Sequence, residues 1–299
     1  MASSTRYAAR RPARRGNPWT LPAVAAAVAV IVVVAIIRGL GTGGGAAAAN
    51  APVPADVLQQ LTQIPAATWD AAGTQGAIMP TFVGGAAAAT GSASATAAAG
   101  KPTVLYIGAE YCPFCAAERW SMVTALARFG TFQGLEYSHS ASNDNYPNTP
   151  TFTFYGSTYA SPYIDFQPVE TLTNVPGGPN GYTNLQTPTA AQQALLQKYN
   201  AAPYFSTQQA GHIPFLLVGE KYAWVGSAFS PQTLDGSTQA KIAAGLAAGT
   251  SPVAQAILAN ANMIAASICA VDGAQPASVC GSGAVAPVIK ALPTTGTGG

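Results

Sequence analysis

The sequence predicts an α/β domain on three observations. TVLYIG, residues 103–108, is a short apolar run rich in β-branched and aromatic residues, suited to a buried strand, and Cys112-Pro113-Phe114-Cys115 follows it at the head of a helix. HIPFLLVGEKYAWVG, residues 212–226, sets two apolar runs either side of Gly219 and Glu220, which makes a hairpin. LDGSTQAKIAAGLA and SPVAQAILANANMIAASIC then read as two C-terminal helices, the second opening with Pro252. With 299 residues, 49% of them apolar, the chain can bury a core as one large domain or two small ones.

In chain order, the first segment stands apart from that core. Arg6, Arg10, Arg11, Arg14 and Arg15 crowd residues 1–18, and LPAVAAAVAVIVVVAII, residues 21–37, follows Trp19 without a charge. An apolar run of this length is close to what a bilayer span needs, so residues 19–38 are expected to form a transmembrane anchor. Five arginines before it and Arg38 after it place the N-terminus in the cytoplasm and the rest of the chain outside. The competing reading is a signal peptide cleaved near Ala46 to Ala49, against which stands an apolar run longer than usual for one. Six of the 13 basic residues precede position 39 and all 11 acidic residues follow it, so the downstream part is net acidic by four. A lysine-poor acidic domain has no footprint for nucleic acid.

Residues 39–55 are a Gly/Ala/Pro tether. DVLQQLTQI, residues 56–64, has helical spacing with Asp56 as its cap, and residues 84–100 read as a low-complexity loop. The helix that begins at the cysteines carries on through AAERWSMVTALARF to Gly130. From about 137 to 205 the chain is rich in Asn, Thr, Pro and Tyr; TFTFY and YIDF suit strands, but no period is sustained, so an irregular insertion is expected there. TPTAAQQALLQKYN, from Thr187, reads as a helix with a threonine cap and Asn200 near its end. The exported domain is bounded at 56–285, and residues 286–299 are expected to be a flexible tail.

The chemistry centres on the cysteines. A thiol attacks as thiolate, and a cysteine in the first turn of a helix is favoured in that form by the unpaired N–H groups there. Cys112 occupies that place as the nucleophile, and Cys115, one turn on, can resolve a mixed disulfide. Three other uses fit a Cys-x-x-Cys pair. Zinc wants four ligands, whereas Cys269 and Cys280 lie in a different region and the chain has two histidines. Copper(I) could take Cys112, Cys115 and His139 or His212. The pair could also be a plain structural disulfide. No glycine-rich phosphate loop stands between a strand and a helix, so no small-molecule cofactor is expected; with ligands so scarce, no resident metal is expected either.

A strand followed by AEYCPFC and a helix resembles the thioredoxin superfamily, and GHIPFLLV resembles its second signature, an Ile-Pro with a cis bond before an edge strand. The resemblance implies a thioredoxin-like fold in which Pro214 packs beside the cysteines, Ile213 presents backbone to substrate, and Pro113 and Phe114 tune the cysteine environment. Where thioredoxins hold a buried carboxylate, six residues before the first cysteine, this chain has Tyr106. Proton transfer from Cys115 would then fall to another group, with Glu110 and Glu118 the nearest carboxylates in sequence. The insertion at about 137–205 resembles the plan of periplasmic thiol oxidases, whose insert is helical. GAEYCPFCAAERW, RFGTF, NTPTFTFYGSTY, TPTAAQQALLQKY and the final Cys-x10-Cys resemble more closely the membrane-anchored family called domain of unknown function 929.

Together these readings imply an anchored extracytoplasmic thiol-disulfide oxidoreductase whose partners are protein thiols and disulfides. As an oxidase it would be recharged by a quinone-linked membrane partner; as a reductase it would need electrons carried across the membrane. Cys269 and Cys280 flank the turn-rich AVDGAQPASV and are expected to form a structural disulfide, the sharper alternative being a shuttle pair that exchanges electrons with Cys112. From another class, the rival is a non-catalytic envelope binding or assembly module using the aromatic insertion as its contact surface.

Overall fold

A computed structural model describes residues 50–84 and 100–295. The Arg-rich tail, the anchor at 19–38, most of the tether and of the 84–100 loop, and the last four residues lie outside the described residues.

The strands are β1 (Thr81–Phe82), β2 (Thr103–Gly108), β3 (Thr131–Gln133), β4 (Glu136–His139), β5 (Pro150–Thr153), β6 (Thr158–Ala160), β7 (Asp165–Glu170), β8 (Leu172–Pro176), β9 (Tyr182–Asn184), β10 (Phe215–Val218) and β11 (Tyr222–Val225). Five of them form a mixed sheet in the order β1-β11-β10-β2-β7, in which β2 and β7 run parallel and the other pairs antiparallel. The chain is therefore mixed α/β. All six residues of β2 and all four of β10 are buried, as continuous apolar runs with a layer on each face require.

Alternation along β2 sorts the two layers. Val104 and Tyr106 face a core with Trp120 and Leu126 of the cysteine helix, Pro113–Leu126, and Ile257, Leu258 and Ile264 of the long helix, Pro252–Cys269. Leu105 and Ile107 face the opposite core with Leu195 and Tyr199 of the helix Ala190–Tyr199. That helix starts where Thr189 and Gln192 close a reciprocal capping box and ends at Asn200. Pro252–Cys269 is long and apolar enough to cross a bilayer, but it lies inside the core.

Five expectations need correction. The strand after Pro214 is not an edge: β10 sits between β2 and β11, and its backbone pairs antiparallel with both. The insertion is not irregular: β4 pairs with β5, β3 with β6 and β8 with β9, and β7 joins the main sheet. The tail beyond Cys280 contains the helix Ala286–Ala291, pinned by buried Val285 and Leu292. The first described helix, Ala55–Thr62, begins at Pro54, so Asp56 lies within its first turn and does not cap it. Downstream of the cysteines, the helix itself stops at Leu126; Gly130 closes the turn by donating to the Leu126 carbonyl, and a Cβ there would strike the Ala160 carbonyl and the Tyr159 ring.

Candidate functional site

Cys112 is the N-cap of its helix, with extended backbone at φ −76° and ψ 120°, and its Sγ accepts the Cys115 backbone N–H at 3.2 Å. Pro113 fills the first helical position, where a missing N–H costs no hydrogen bond. The Cys112 sulfur also lies 4.0 Å from the carbonyl of Ile213, which begins the cis Ile213–Pro214 peptide. Hairpin β10–β11 thereby places Pro214 beside the helix start, with the Gly226 N–H donating to the Pro214 carbonyl at 2.8 Å. Both cysteines are free thiols; Cys112 is 5% exposed and Cys115 fully buried.

Their environments push the two thiols apart. Hydrogen bonding from the Cys115 side chain, then from the Cys115 backbone, holds Cys112 below the usual thiol range against the opposing effect of burial. Burial, reinforced by the neighbouring Cys112, pushes Cys115 well above it. One sulfur is thus favoured as thiolate while the other keeps its proton.

Below the pair lies a buried ion pair. The Arg119 Nε donates to Glu170 Oε1 and Nη2 to Glu170 Oε2, both at 2.8 Å, and Nη2 also donates to the Ala109 carbonyl at 2.7 Å. Neither side chain has any exposed surface. Such forked geometry is what lets a guanidinium and a carboxylate leave water together. Arg119 Nη1 and the Tyr106 hydroxyl have no hydrogen-bond partner among the described residues. Tyr106 packs edge-on to Phe154 with ring centroids 5.3 Å apart.

The two carboxylates singled out in the sequence go elsewhere. Glu118 accepts from Asn260 Nδ2 at 3.0 and 3.1 Å and from the Ala228 N–H at 3.3 Å, joining the cysteine helix to the long helix and to the turn after β11. Burial pushes its carboxyl up to about 7. Glu110 is buried in the turn between β2 and the cysteine helix, its Oε1 without a partner among the described residues and its N–H donating to the Leu172 carbonyl. Neither makes a hydrogen bond to a cysteine.

Aromatic rings from the insertion surround the helix start. Tyr182 stacks on Tyr111 at 4.3 Å and 5°, with its hydroxyl donating to Asn143, and Tyr146 meets the exposed Phe114 edge-on at 5.9 Å. The Ala141 N–H bonds the Tyr111 carbonyl, fastening that loop to the cysteine turn. His139 lies on β4, and the exposed His212 turns its Nδ1 to the Gln209 carbonyl at 3.1 Å. Among the described residues the metal-ligating side chains that converge in a group of three are Cys269, Asp272 and Cys280, and those two cysteines are joined as a disulfide with Cα atoms 5.6 Å apart.

Sequence reasoning missed Arg119 and Glu170, which are 51 positions apart. The available signal was an arginine one turn past Cys115, the one cation in the helix Pro113–Leu126.

Residues 89–270 match the family described as Domain of unknown function (DUF929). No curated protein and no solved structure matches the chain.

Proposed function

The chain belongs to the Domain of unknown function (DUF929) family, and we propose that it is a membrane-anchored, extracytoplasmic thiol-disulfide oxidoreductase acting on protein thiols. The observation that carries this reading is the asymmetry of the cysteine pair: a sulfur capping a helix and favoured as thiolate, with a protonated, fully buried partner one turn on. A thioredoxin-like fold is the finer reading of the sheet. It is supported by the order β7-β2-β10-β11, the cysteine helix after β2, and Pro214 at the start of β10. The anchor reading rests on the charge-free run at 21–37 behind five arginines.

In the reducing direction, the Cys112 thiolate attacks a substrate disulfide, forming a Cys112–substrate bond and expelling the other substrate sulfur as thiolate. Cys115 gives up its proton to the substrate thiolate expelled in the first step and attacks the Cys112 sulfur; the second substrate sulfur leaves as thiolate, and two electrons have passed from the dithiol to the substrate. In the oxidising direction a substrate thiolate attacks Cys112 of the disulfide and Cys115 departs as thiolate. A second substrate thiolate then displaces Cys112.

Cys115→Ala tests this in cells, because it strands the mixed disulfide at Cys112. Covalent adducts that dissolve with reductant support the enzyme. The binding-module reading is favoured by the 5% exposure of Cys112, whose neighbours Tyr111 and Phe114 are met by Tyr182 and Tyr146 of the insertion; non-covalent co-purification without adducts would establish it in the enzyme's place. A glutathione titration then gives the direction. A midpoint near about −120 to −180 mV marks an oxidant or isomerase, and one near about −270 mV a reductant.

A further inference from the structure

Cys112, Cys115 and Arg119 lie three and then four residues apart, so they share one stripe of the helix with the guanidinium one turn below the second sulfur. Glu170, at the end of β7, and the Ala109 carbonyl occupy Nε and Nη2, and this leaves a fully buried Nη1 with no acceptor among the described residues. An unpaired N–H on a buried guanidinium is costly, and among the described residues the resting protein offers it no partner. An acceptor does arise during the reaction read above. Whichever way electrons flow, Cys115 must pass through its thiolate, as attacker or as leaving group.

We propose that Arg119 is a positioning residue, held by Glu170, whose free guanidinium edge stabilises negative charge on the Cys115–Cys112 sulfurs. It takes over electrostatically what a buried carboxylate would do by carrying a proton. The direction of its influence agrees: its positive charge lowers both thiols. The other ionisable groups around it are Tyr106 on β2 and Glu170 on β7, with Glu110 next to Glu170.

This inference rests on the oxidoreductase reading, so the experiment reads the sulfurs and not turnover. The purified full-length chain is titrated by thiolate ultraviolet absorbance and by pH-dependent alkylation of Cys112. Arg119→Gln should raise the first thiolate midpoint by about one pH unit or more, Glu170→Gln should lower it by leaving the guanidinium uncompensated, and Arg119→Lys should restore most of the wild-type value. Opposite shifts from two variants of one ion pair cannot come from loosened packing. If both move the midpoint the same way, or neither moves it, Arg119 is a structural ion-pair member only and the inference falls. Should Arg119→Gln fail to fold, the sign of the Glu170→Gln shift decides alone. A wild-type Cys112 midpoint in the ordinary thiol range would count against the oxidoreductase reading itself.

Discussion

Replacing Glu118 by Gln should flatten one arm of the protein's pH-stability curve. Glu118 is fully buried between Asn260 and the Ala228 N–H, and burial raises its carboxyl from 4.5 to about 7. The folded protein therefore holds this proton where the unfolded chain has already released it. The contribution is full below about pH 4.5 and is lost as pH rises through about 7. That interval, at about 1.4 kcal/mol per unit, is worth about 3 kcal/mol, or roughly 6–12 °C in Tm for a domain of this size. The Gln carbonyl can still accept from Asn260 and Ala228, and its amide has an acceptor at hand in Asn260 Oδ1, otherwise unpartnered among the described residues. Urea unfolding of wild type and Glu118→Gln, followed by tryptophan fluorescence at pH 5 and 8, measures the effect. Glu170 and Asp272, which burial also raises, titrate in both proteins and cancel in the difference. The variant should gain about 3 kcal/mol on wild type between the two pH values. A difference that stays constant within about 0.5 kcal/mol would refute the reasoning.

Three further outcomes are expected. Cys269→Ala with Cys280→Ala, which opens a loop of 11 positions, should cost about 3 kcal/mol in the chain-entropy model, matched by adding reductant to wild type in thermal unfolding; a stable variant that loses turnover would make the pair a shuttle. Ile264→Ala, fully enclosed in the core of the long helix, should lose about 2–5 kcal/mol in denaturant unfolding, the spread reflecting how far the cavity collapses. Tyr106→Phe removes a buried hydroxyl without a partner among the described residues and should leave stability unchanged or raise it by about 1 kcal/mol, whereas a clear loss would mean that the hydroxyl is bonded.

Local signals were legible where one short segment carries its own instruction. Pro113 after Cys112 fixed the helix start, Gly219 and Glu220 both take positive φ at the hairpin turn, and a threonine announced the helix that ends at Asn200. Pairings across distance were not. DFQPVE shows no alternation and contains a proline, which argues against a central strand. β7 tolerates Pro168 because it is the last strand of the sheet, with its partner β2 on one side only. The hairpins of the insertion escaped for the same reason, since each is only three to five residues long and draws its stability from the rings it packs. At the site, the cysteines could be read from their spacing, but the cation beneath them could not. What makes Arg119 more than a surface charge is a carboxylate on another strand, and that is a fact of topology.

The cysteine helix has one more property with a cost attached. Thirteen of its 14 residues are buried, and Phe114 alone reaches solvent. Almost any substitution along it is a packing change before it can be a functional one, so the element nearest the sulfurs has little freedom to diversify. Relatives with different partners would have to differ in the borrowed rim, at Tyr146 and Tyr182 and in the hairpin and loop that carry them, while the machinery beneath stays fixed. On the oxidoreductase reading, recognition and reactivity would then fall to segments that can change at different rates.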